Sequence, residues 1–209
     1  AIQTATALMK FFQEQAHRVS ADLARERGVF PAYRGSRLQI RHQRQRNATG
    51  TTIAPTGSLS LLANCSPGIE PIYGVQVTRR VMDGAVLTSQ HPAFIRRAQA
   101  LGLDLDRLQS DLEAQPSIQQ LTSIPEELRR LFVTAHDVSP EQHVRMQAVF
   151  QQYSDSGVSK TINLPATATK AQVAEAFLLA YRLGCKGLTV FRSGSREQQV
   201  LSCHPSQLC

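Results

Sequence analysis

The order of strand-like and helical segments is the feature that most limits how this chain of 209 residues can fold. Three short segments, 49–54, 158–164 and 187–191, are rich in β-branched and apolar residues and carry glycine or proline at their borders, which is typical of buried strands. The last two enclose an amphipathic helical pattern at 169–183, which Gly184 ends. Because strands joined through helices run parallel in one sheet, the pattern predicts an α/β fold.

Helical periodicity accounts for much of the remaining chain. The apolar spacing at 3–27 predicts a long first helix, and Ser139 before Pro140 is a strong helix start that carries the chain to about Tyr153. We expect one main unit over residues 1–196 and a flexible tail over 197–209 that carries two cysteines. Shorter helices are predicted at 59–63, 92–102, 104–114 and from Pro125 onward, and 116–124 is predicted to be a polar loop.

Composition excludes several classes of protein. With 42% hydrophobic and 19% charged residues the chain is not disordered throughout. Its longest uncharged run, 47–69, is interrupted by Pro55, Gly57 and polar residues, so no membrane span is predicted. No export signal is visible, and the helical pattern at Ala1 suggests a fragment or a processed chain. Four cysteines in such a chain are expected to be reduced, which favours the cytoplasm.

An arginine-rich segment carries much of the net charge of +7. One interpretation is a solvated connector, and the other is a surface that faces phosphate groups or a partner. A nucleic-acid-binding module would explain this charge but none of the motifs described below, so no direct contact with nucleic acid is expected. The segment contains five arginines and no acidic residue: Arg34, Arg37, Arg41, Arg44 and Arg46.

The turn Pro55-Thr56-Gly57-Ser58-Leu59 is the strongest candidate site judged from its residues. It joins a predicted strand to a predicted helix, and a helix start presents unpaired N–H groups that suit a phosphate. Gly57 allows close approach of the backbone, and the hydroxyls of Thr56 and Ser58 can donate to phosphate oxygens. The turn lacks the Gly-x-x-x-x-Gly-Lys pattern of a P-loop, and an ordinary connection between two elements is the alternative.

Histidine and lysine positions leave more than one role open. His136 and His143 stand seven residues apart without a nearby cysteine, a spacing that favours packing or capping over a metal site. No metal is therefore predicted. Lys160 and Lys186 each begin a predicted strand, where a lysine can serve a phosphate or a buried acid, or can extend to the surface.

The four cysteines differ in their surroundings. Cys203 and Cys209 lie in the polar tail, where exposed thiols can exchange with a disulfide elsewhere or can be incidental. Cys65 and Cys185 lie beside apolar segments, and no histidine partner is evident for either. Both are therefore predicted to be small packing residues rather than nucleophiles.

Five sequence blocks occur in the order in which one enzyme family carries them. They are TTIAPTGSLS at 51–60, CSPGIEP at 65–71, VSKTINLP at 158–165, GCKGLTVFR at 184–192 and GSR at 194–196. On these blocks the chain resembles the C-terminal part of the catalytic barrel of a class II, adenosylcobalamin-dependent ribonucleotide reductase. The resemblance runs from about Thr6 to about Leu201, and so covers nearly the whole chain.

The resemblance implies a fold, a reaction and a role for the candidate turn. The family fold is a ten-stranded α/β barrel, of which this chain would supply the last strands and would be incomplete alone. The reaction is the radical reduction of ribonucleoside di- or triphosphates to deoxyribonucleotides for DNA replication. It is started by adenosylcobalamin, which would be bound mainly outside this chain. In the family, the turn that matches Pro55, Thr56, Gly57, Ser58 and Leu59 binds the substrate phosphates.

The chain also departs from the family pattern. The family's radical cysteine and catalytic glutamate share an Asn-x-Cys-x-Glu loop, which does not occur here, and the early barrel cysteine that pairs for ribose reduction is missing. Phe191 and Ser193 stand where Tyr and Asp are common. No catalytic residue is therefore assigned to this chain, which is expected to be inactive without the remaining N-terminal part of the reductase, either in the same polypeptide or in a partner chain.

Two further implications concern the tail and the alternative function. In family members a terminal cysteine pair passes electrons from a thioredoxin-like reductant to the active-site disulfide, a role that Cys203 and Cys209 would fill here. The alternative function is a non-catalytic nucleotide-binding or regulatory remnant that has kept part of the barrel.

Overall fold

The computed structural model describes residues 1–80, 85–114, 117–195 and 201–202. Two 3-10 turns, Pro31–Tyr33 and Ile118–Gln120, complete the regular structure of this part of the chain. Its strands are β1 (Gln76–Arg80), β2 (Val86–Gln90), β3 (Thr161–Leu164), β4 (Thr189–Arg192) and β5 (Leu201–Ser202). Its helices are α1 (Ile2–Arg27), α2 (Arg37–Ile40), α3 (Gly57–Ala63), α4 (Pro92–Ala100), α5 (Leu105–Ala114), α6 (Glu126–Leu131), α7 (Pro140–Gln152) and α8 (Lys170–Arg182).

A parallel sheet forms from the three segments that the sequence marks as strands. β3 and β4 pair in parallel, with Thr161 opposite Thr189, and Ile53 forms a parallel bridge with Val158. The α/β prediction is therefore confirmed. Within the described residues the sheet does not close into a barrel.

The first of these segments is shorter than the sequence predicts. Instead of a strand over 49–54, only Ile53 pairs: its N–H donates to Gly157 O (3.2 Å) and its carbonyl accepts from Ser159 N (2.8 Å). In a parallel ladder the next bonds would involve residue 55. Pro55 has no N–H to donate, so the ladder ends there and the chain turns into α3.

The core beneath the sheet is built by α7 and α8. Along β3 every second side chain is buried, as expected for a strand with one covered face. Ile162 and Leu164 pack against Val144 of α7 and against Ala176 and Ala180 of α8. The small residues of α8 let this helix lie close to the strands, and full burial of each large aliphatic side chain contributes roughly 1.5–3 kcal/mol.

Capping residues fix the start of both helices. Ser139 accepts a hydrogen bond from Gln142 N at the start of α7, as the sequence predicts. Thr169 and Gln172 form a reciprocal capping box at the start of α8, which satisfies two otherwise unpaired N–H groups. α1 ends at Gly28, whose φ of 80° is accessible to glycine, and it packs against α7.

The part of the chain between the turn and α7 forms a second layer, and the sequence patterns did not predict its strands. β1 and β2 form an antiparallel hairpin with Thr78 opposite Thr88. β5 pairs with β1 on the other side, so Leu201 and Ser202 are in a strand. The other residues of the predicted flexible tail, 197–200 and 203–209, lie outside the described residues. A separate apolar core joins this layer to α4, α5 and α6 through Val75, Phe94, Ala98, Leu108, Leu112, Ile118, Ile124, Leu128 and Phe132.

The sequence predicts a polar loop at 116–124. A 3-10 turn is the regular structure among its described residues, so the loop prediction agrees, but two of its side chains belong to an apolar core. Ile118 and Ile124 are fully buried in the second core, and the 3-10 turn begins at Ile118. Their large apolar side chains hold the segment against the helices, although polar residues dominate its sequence.

Candidate functional site

The turn at Pro55–Leu59 lies at the carboxyl end of the first parallel segment, directly after the bridge at Ile53. Thr56 adopts a left-handed conformation, with φ of 48°, which is uncommon for a residue with a side chain. α3 begins at the next residue, Gly57. Carboxyl ends of parallel strands share one edge of a sheet, where α/β proteins place their ligands. The predicted turn is therefore at the edge at which a ligand site is expected.

Hydrogen bonds hold the Thr56 backbone and hydroxyl in place. Thr56 Oγ1 accepts from Gly68 N at 2.9 Å, and Thr56 O accepts from Ser60 N at 2.8 Å. Ser60 Oγ in turn donates to Gly57 O at 2.7 Å. Because the Thr56 hydroxyl is the acceptor in its contact with Gly68, its own proton is available to donate to a ligand.

Gly57 and Gly68 differ in what the fold demands of them. A Cβ at Gly57 would meet no atom within 4 Å, and Gly57 does not have a positive φ. The fold itself therefore leaves open space at Gly57, as a backbone that approaches a ligand would need. Gly68 has a φ of 47°, and a Cβ there would come within 3.2 Å of Ala54 O. Gly68 is therefore required by the packing of its loop against the start of the turn.

The turn and α3 are open to solvent. Gly57 and Ser58 are exposed, and so is the side chain of Leu59. Leu61 and Leu62 on the same helix are also exposed, Leu62 to 86%. Apolar side chains exposed together are a signature of a surface that another element covers.

Lys160 forms a buried ion pair with a residue that the sequence analysis did not single out. Its Nζ donates to Glu70 Oε2 at 3.0 Å and to Thr161 O at 3.3 Å, and its side chain is 1% exposed. Burial lowers the pKa of Lys160, and the neighbouring Glu70 opposes that shift. The sequence left several roles open for Lys160, and in the structure it is the partner of a partly buried acid, Glu70. Lys186 instead extends to the surface and donates to Asp155 O.

Glu70 has both carboxylate oxygens occupied. Oε1 accepts from Thr161 N at 2.6 Å while Oε2 accepts from Lys160. A continued parallel ladder would have paired Thr161 N with the carbonyl of residue 55, so Glu70 supplies the acceptor that the interrupted first strand does not. The only sequence signal for this role is the position of Glu70 in the CSPGIEP block.

His143 lies close enough to this ion pair for both charges to act on its imidazole, and His136 lies near His143. His143 is fully buried, and its Nε2 donates to Ala135 O at 2.9 Å, since a carbonyl can only accept. Burial lowers the pKa of His143, and Lys160 adds to that shift while Glu70 opposes it. His136 stacks edge-on against Tyr73 with ring centroids 4.8 Å apart, and burial lowers its pKa as well. The described residues contain no group of three or more His, Cys, Asp or Glu side chains able to hold a metal ion.

Amide and carboxylate side chains hold the opposite, amino-terminal edge of the sheet. Gln147 of α7 is fully buried, and its Nε2 donates to Gly187 O at 2.7 Å and to Val158 O at 3.3 Å. Asp155 accepts from Gly50 N at 2.7 Å and pairs with His17 of α1 at 2.9 Å. Although burial alone would raise the pKa of Asp155, the bonds from Gly50 and His17 hold it below its usual range.

The remaining predicted positions are dispersed. Cys65 is an exposed thiol, which corrects its prediction as a packing residue, whereas Cys185 is partly buried and its pKa is raised by that burial. Cys203 and Cys209 lie outside the described residues, so their role stays a prediction. Ser193 is buried, and Phe191 is partly buried in β4.

The arginine-rich segment is mostly exposed to solvent. Four of its five arginines, Arg34, Arg37, Arg41 and Arg44, are exposed. Arg46 is tied to the end of α1, where its Nη1 donates to Val29 O at 3.3 Å. This exposure is compatible with both interpretations of the segment.

The fold and the matched residues together define the class of protein. Residues 37–191, more than half of the chain, match the family model for the ribonucleotide reductase barrel domain. The chain therefore belongs to the ribonucleotide reductase barrel-domain family, which confirms the resemblance at the level of the family.

Two curated relatives match nearly the whole of this chain. The chain is 42% identical over 202 residues to the vitamin B12-dependent ribonucleoside-diphosphate reductase of Thermoplasma acidophilum, over 97% of this chain and 26% of that protein. The enzyme of the same name from Mycobacterium tuberculosis (strain H37Rv) is 42% identical, over 97% of this chain and 28% of that protein. The chain thus spans little more than a quarter of the length of these curated relatives.

A solved structure supports the fold. The class Id ribonucleotide reductase alpha subunit of Actinobacillus ureae superposes with a TM-score of 0.70 at 22% identity, over 92% of this chain and 34% of that chain. At this identity the likeness concerns the fold alone. Among the described helices, none is both long and apolar enough to cross a bilayer.

Proposed function

We propose that this chain is part of an adenosylcobalamin-dependent ribonucleotide reductase, in which it supplies the substrate-phosphate-binding turn and the last strands of a ten-stranded catalytic barrel. The observation that carries the proposal is the position of the Pro55–Leu59 turn: it is open to solvent at the carboxyl end of a parallel strand in a reductase barrel domain. The names of the similar enzymes, which cover nearly all of this chain, support the cofactor and the ribonucleoside diphosphate substrate.

The turn has the groups that bind a phosphate. The backbone N–H groups of Gly57, Ser58 and Leu59 begin α3 and lack helical partners. The hydroxyl protons of Thr56 and Ser58 add two donors, and the absent side chain at Gly57 leaves room for a phosphate oxygen. Together these groups would orient the diphosphate or triphosphate of the substrate, and with it the ribose.

The radical chemistry is assigned to the rest of the reductase. Adenosylcobalamin supplies the radical that starts ribose reduction in such an enzyme. The family resemblance implies that adenosylcobalamin is bound mainly by regions outside this chain, and the sequence has no Asn-x-Cys-x-Glu loop. We therefore assign the cofactor contacts and the catalytic cysteine and glutamate mainly to the part of the reductase beyond this chain.

The remaining N-terminal catalytic part is the partner that this function needs. The parallel sheet has open edges at Ile53 and β4 within the described residues, and open edges pair readily with further strands. α8 exposes Phe177, Leu178 and Tyr181, the last to 82%. We propose that the rest of the barrel pairs with these edges and covers this face, whether it belongs to the same polypeptide or to a partner chain.

The electron supply and the location of the enzyme complete the proposal. Cys203 and Cys209 would accept electrons from a thioredoxin-like reductant and pass them to the active-site disulfide by thiol–disulfide exchange. Such exchange needs a reducing compartment, so the enzyme is assigned to the cytoplasm.

The test is a substitution at Gly57 in the reductase that contains this chain. Gly57→Asp places a carboxylate against the substrate phosphates and should abolish reduction of ribonucleotides, whereas Gly57→Ala should raise KM without loss of folding, because a Cβ there meets no protein atom. Gly187→Asp is the matched control, since Gly187 is also exposed, also has open space around it and lies at the opposite edge of the sheet. Normal KM in Gly57→Asp would refute the site. If the wild-type protein that contains this chain shows no adenosylcobalamin-dependent turnover, that result would instead favour the non-catalytic remnant.

A further inference from the structure

We infer that Glu70 is a positioning residue for the phosphate-binding turn and that the buried Lys160 is the counter-ion that holds Glu70 in place. The inference rests on the proposed function, because it explains how the turn reaches the geometry that phosphate binding needs. Nothing in the matched blocks alone assigns a role to either residue.

The first step is the attachment of Glu70 to the sheet. Glu70 Oε1 accepts from Thr161 N at 2.6 Å, and Oε2 accepts from Lys160 Nζ at 3.0 Å. Two bonds to two different oxygens fix the rotation of the carboxylate as well as its position. The backbone bond from Glu70 N to Pro67 O, at 3.2 Å, closes the loop that carries it.

The second step is the link from this loop to the turn. Gly68, two residues before Glu70, donates from its N–H to Thr56 Oγ1 at 2.9 Å. The space at Gly68 is so tight that a Cβ would come within 3.2 Å of Ala54 O. The loop 65–70 therefore lies directly against the start of the turn. Because Gly68 is tightly packed against Ala54 and bonded to Thr56, a shift of Glu70 is transmitted to Thr56.

The third step is that the turn needs this support. Thr56 has a left-handed backbone, which is sterically unfavourable for a threonine. No side-chain cap holds the start of α3. Without the bond from Gly68, Thr56 can relax to an ordinary backbone conformation, and the N–H groups of Gly57 and Ser58 that begin α3 then shift with it.

The geometry also excludes Lys160 as a direct phosphate ligand. Its side chain is 1% exposed, and its ammonium group already donates to Glu70 and Thr161 O. Its effect on a substrate must therefore pass through Glu70, whose side chain is 23% exposed and would otherwise be free to turn to solvent. Loss of either member of the pair should weaken substrate binding in the same way.

The experiment compares Glu70→Gln, Lys160→Met and the double variant in the reductase that contains this chain. The readouts are kcat and KM for a ribonucleoside diphosphate, and the inhibition constant of inorganic pyrophosphate as a competitive probe of the phosphate site. Each single variant should raise KM and the inhibition constant roughly tenfold, the size expected for one weakened hydrogen bond to a charged group. The kcat at saturating substrate should change little, and the double variant should be no worse than the poorer single variant.

Asp155→Asn is the matched control. Asp155 is also a partly buried carboxylate that accepts a backbone N–H and pairs with a basic side chain, but it does so at the amino-terminal edge of the sheet. It should lower thermal stability and leave KM and the pyrophosphate inhibition constant unchanged. A purely structural Glu70 would behave in the same way.

The outcomes separate this inference from the proposed function. If Glu70→Gln and Lys160→Met keep the wild-type KM and inhibition constant while Gly57→Asp loses substrate binding, the phosphate site stands and the positioning role is wrong. If Gly57→Asp also binds normally, the proposed site itself is wrong. If Glu70→Gln does not fold, Lys160→Met decides alone, because its remaining Glu70 carboxylate can still accept from Thr161 N or reach solvent.

Discussion

Gln147 is the residue at which a stability prediction can be worked out most fully. It is fully buried on α7, and its amide nitrogen donates to the carbonyls of Val158 and Gly187, which precede β3 and β4. One side chain thus joins a helix to two neighbouring strands. The change that tests it is Gln147→Leu, which keeps the approximate volume but removes both bonds, together with Gln147→Glu, which replaces the donor by a carboxylate.

The size of the effect follows from the two acceptors. Each lost bond costs about 1 kcal/mol, and a carbonyl left buried without a partner adds roughly 1–3 kcal/mol. Gly187 is exposed, so water can replace the amide there, and the added cost falls on Val158, which is buried. Gln147 Oε1 has no hydrogen-bond partner within the described structure, and its removal offsets part of the loss. The net cost of Gln147→Leu should be about 2 kcal/mol, whereas Gln147→Glu, which buries an unpaired charge against carbonyls, should cost at least about 3 kcal/mol.

The assay is thermal unfolding followed by circular dichroism. For a cooperative unit of 209 residues each 1 kcal/mol shifts Tm by roughly 2–4 °C, so in such a unit Gln147→Leu should unfold about 4–8 °C below wild type and Gln147→Glu lower still. Gln152→Leu is the control on the same helix, and because Gln152 is exposed its effect should stay within about 0.5 kcal/mol. A Gln147→Leu variant as stable as wild type, or a Gln147→Glu variant no less stable than Gln147→Leu, would refute the reasoning.

Protonation, thiol exposure and the apolar face of α8 each give a further measurable expectation. Burial holds the pKa of His143 below its unfolded value of about 6.5. The unfolded chain therefore binds more protons, and the free energy of unfolding should fall as the pH drops below that value. Measured by urea unfolding from pH 7 to 5, this fall should be smaller in His143→Gln. Cys65 should react with a thiol reagent faster than Cys185, whose pKa is raised by burial, and equal rates would contradict the difference in exposure between the two thiols. Tyr181→Ser should change Tm by less than about 2 °C because the side chain is exposed, yet it should weaken association with the rest of the reductase in sedimentation; unchanged association would remove Tyr181 from that interface.

Local signals in the sequence were sufficient for the parallel sheet and its covering helices. The Ser139 and Thr169 starts and the apolar spacing that follows each of them predict α7 and α8 to within a residue or two. The alternation of buried residues in β3 follows the alternation of polar and apolar residues in Thr161-Ile162-Asn163-Leu164. These elements are predictable because capping and periodicity act between residues close in sequence.

The hairpin and the ion pair were not predictable on the same basis. β1 and β2 mix threonine, serine, glutamine and arginine with few large apolar residues, so their pattern resembles that of a loop, and only the pairing between them makes them strands. Glu70 and Lys160 are 90 residues apart in sequence. No local pattern indicates that a glutamate so distant will replace a missing strand carbonyl, because that requirement arises only when Pro55 has interrupted the ladder.

The distribution of polar side chains around the parallel sheet explains why one edge suits stability and the other suits binding. At the amino-terminal edge, Gln147 and Asp155 occupy backbone groups that precede the strands. At the carboxyl edge the first segment stops early at Pro55, and the space that a continuing strand would have filled contains the Glu70 carboxylate and the exposed turn. The interruption creates both an unpaired N–H at Thr161 and room for a ligand, and Glu70 satisfies the first without filling the second. Substitutions at the amino-terminal edge should therefore lower Tm and leave KM unchanged, whereas substitutions at the carboxyl edge should change KM whether or not they also lower Tm.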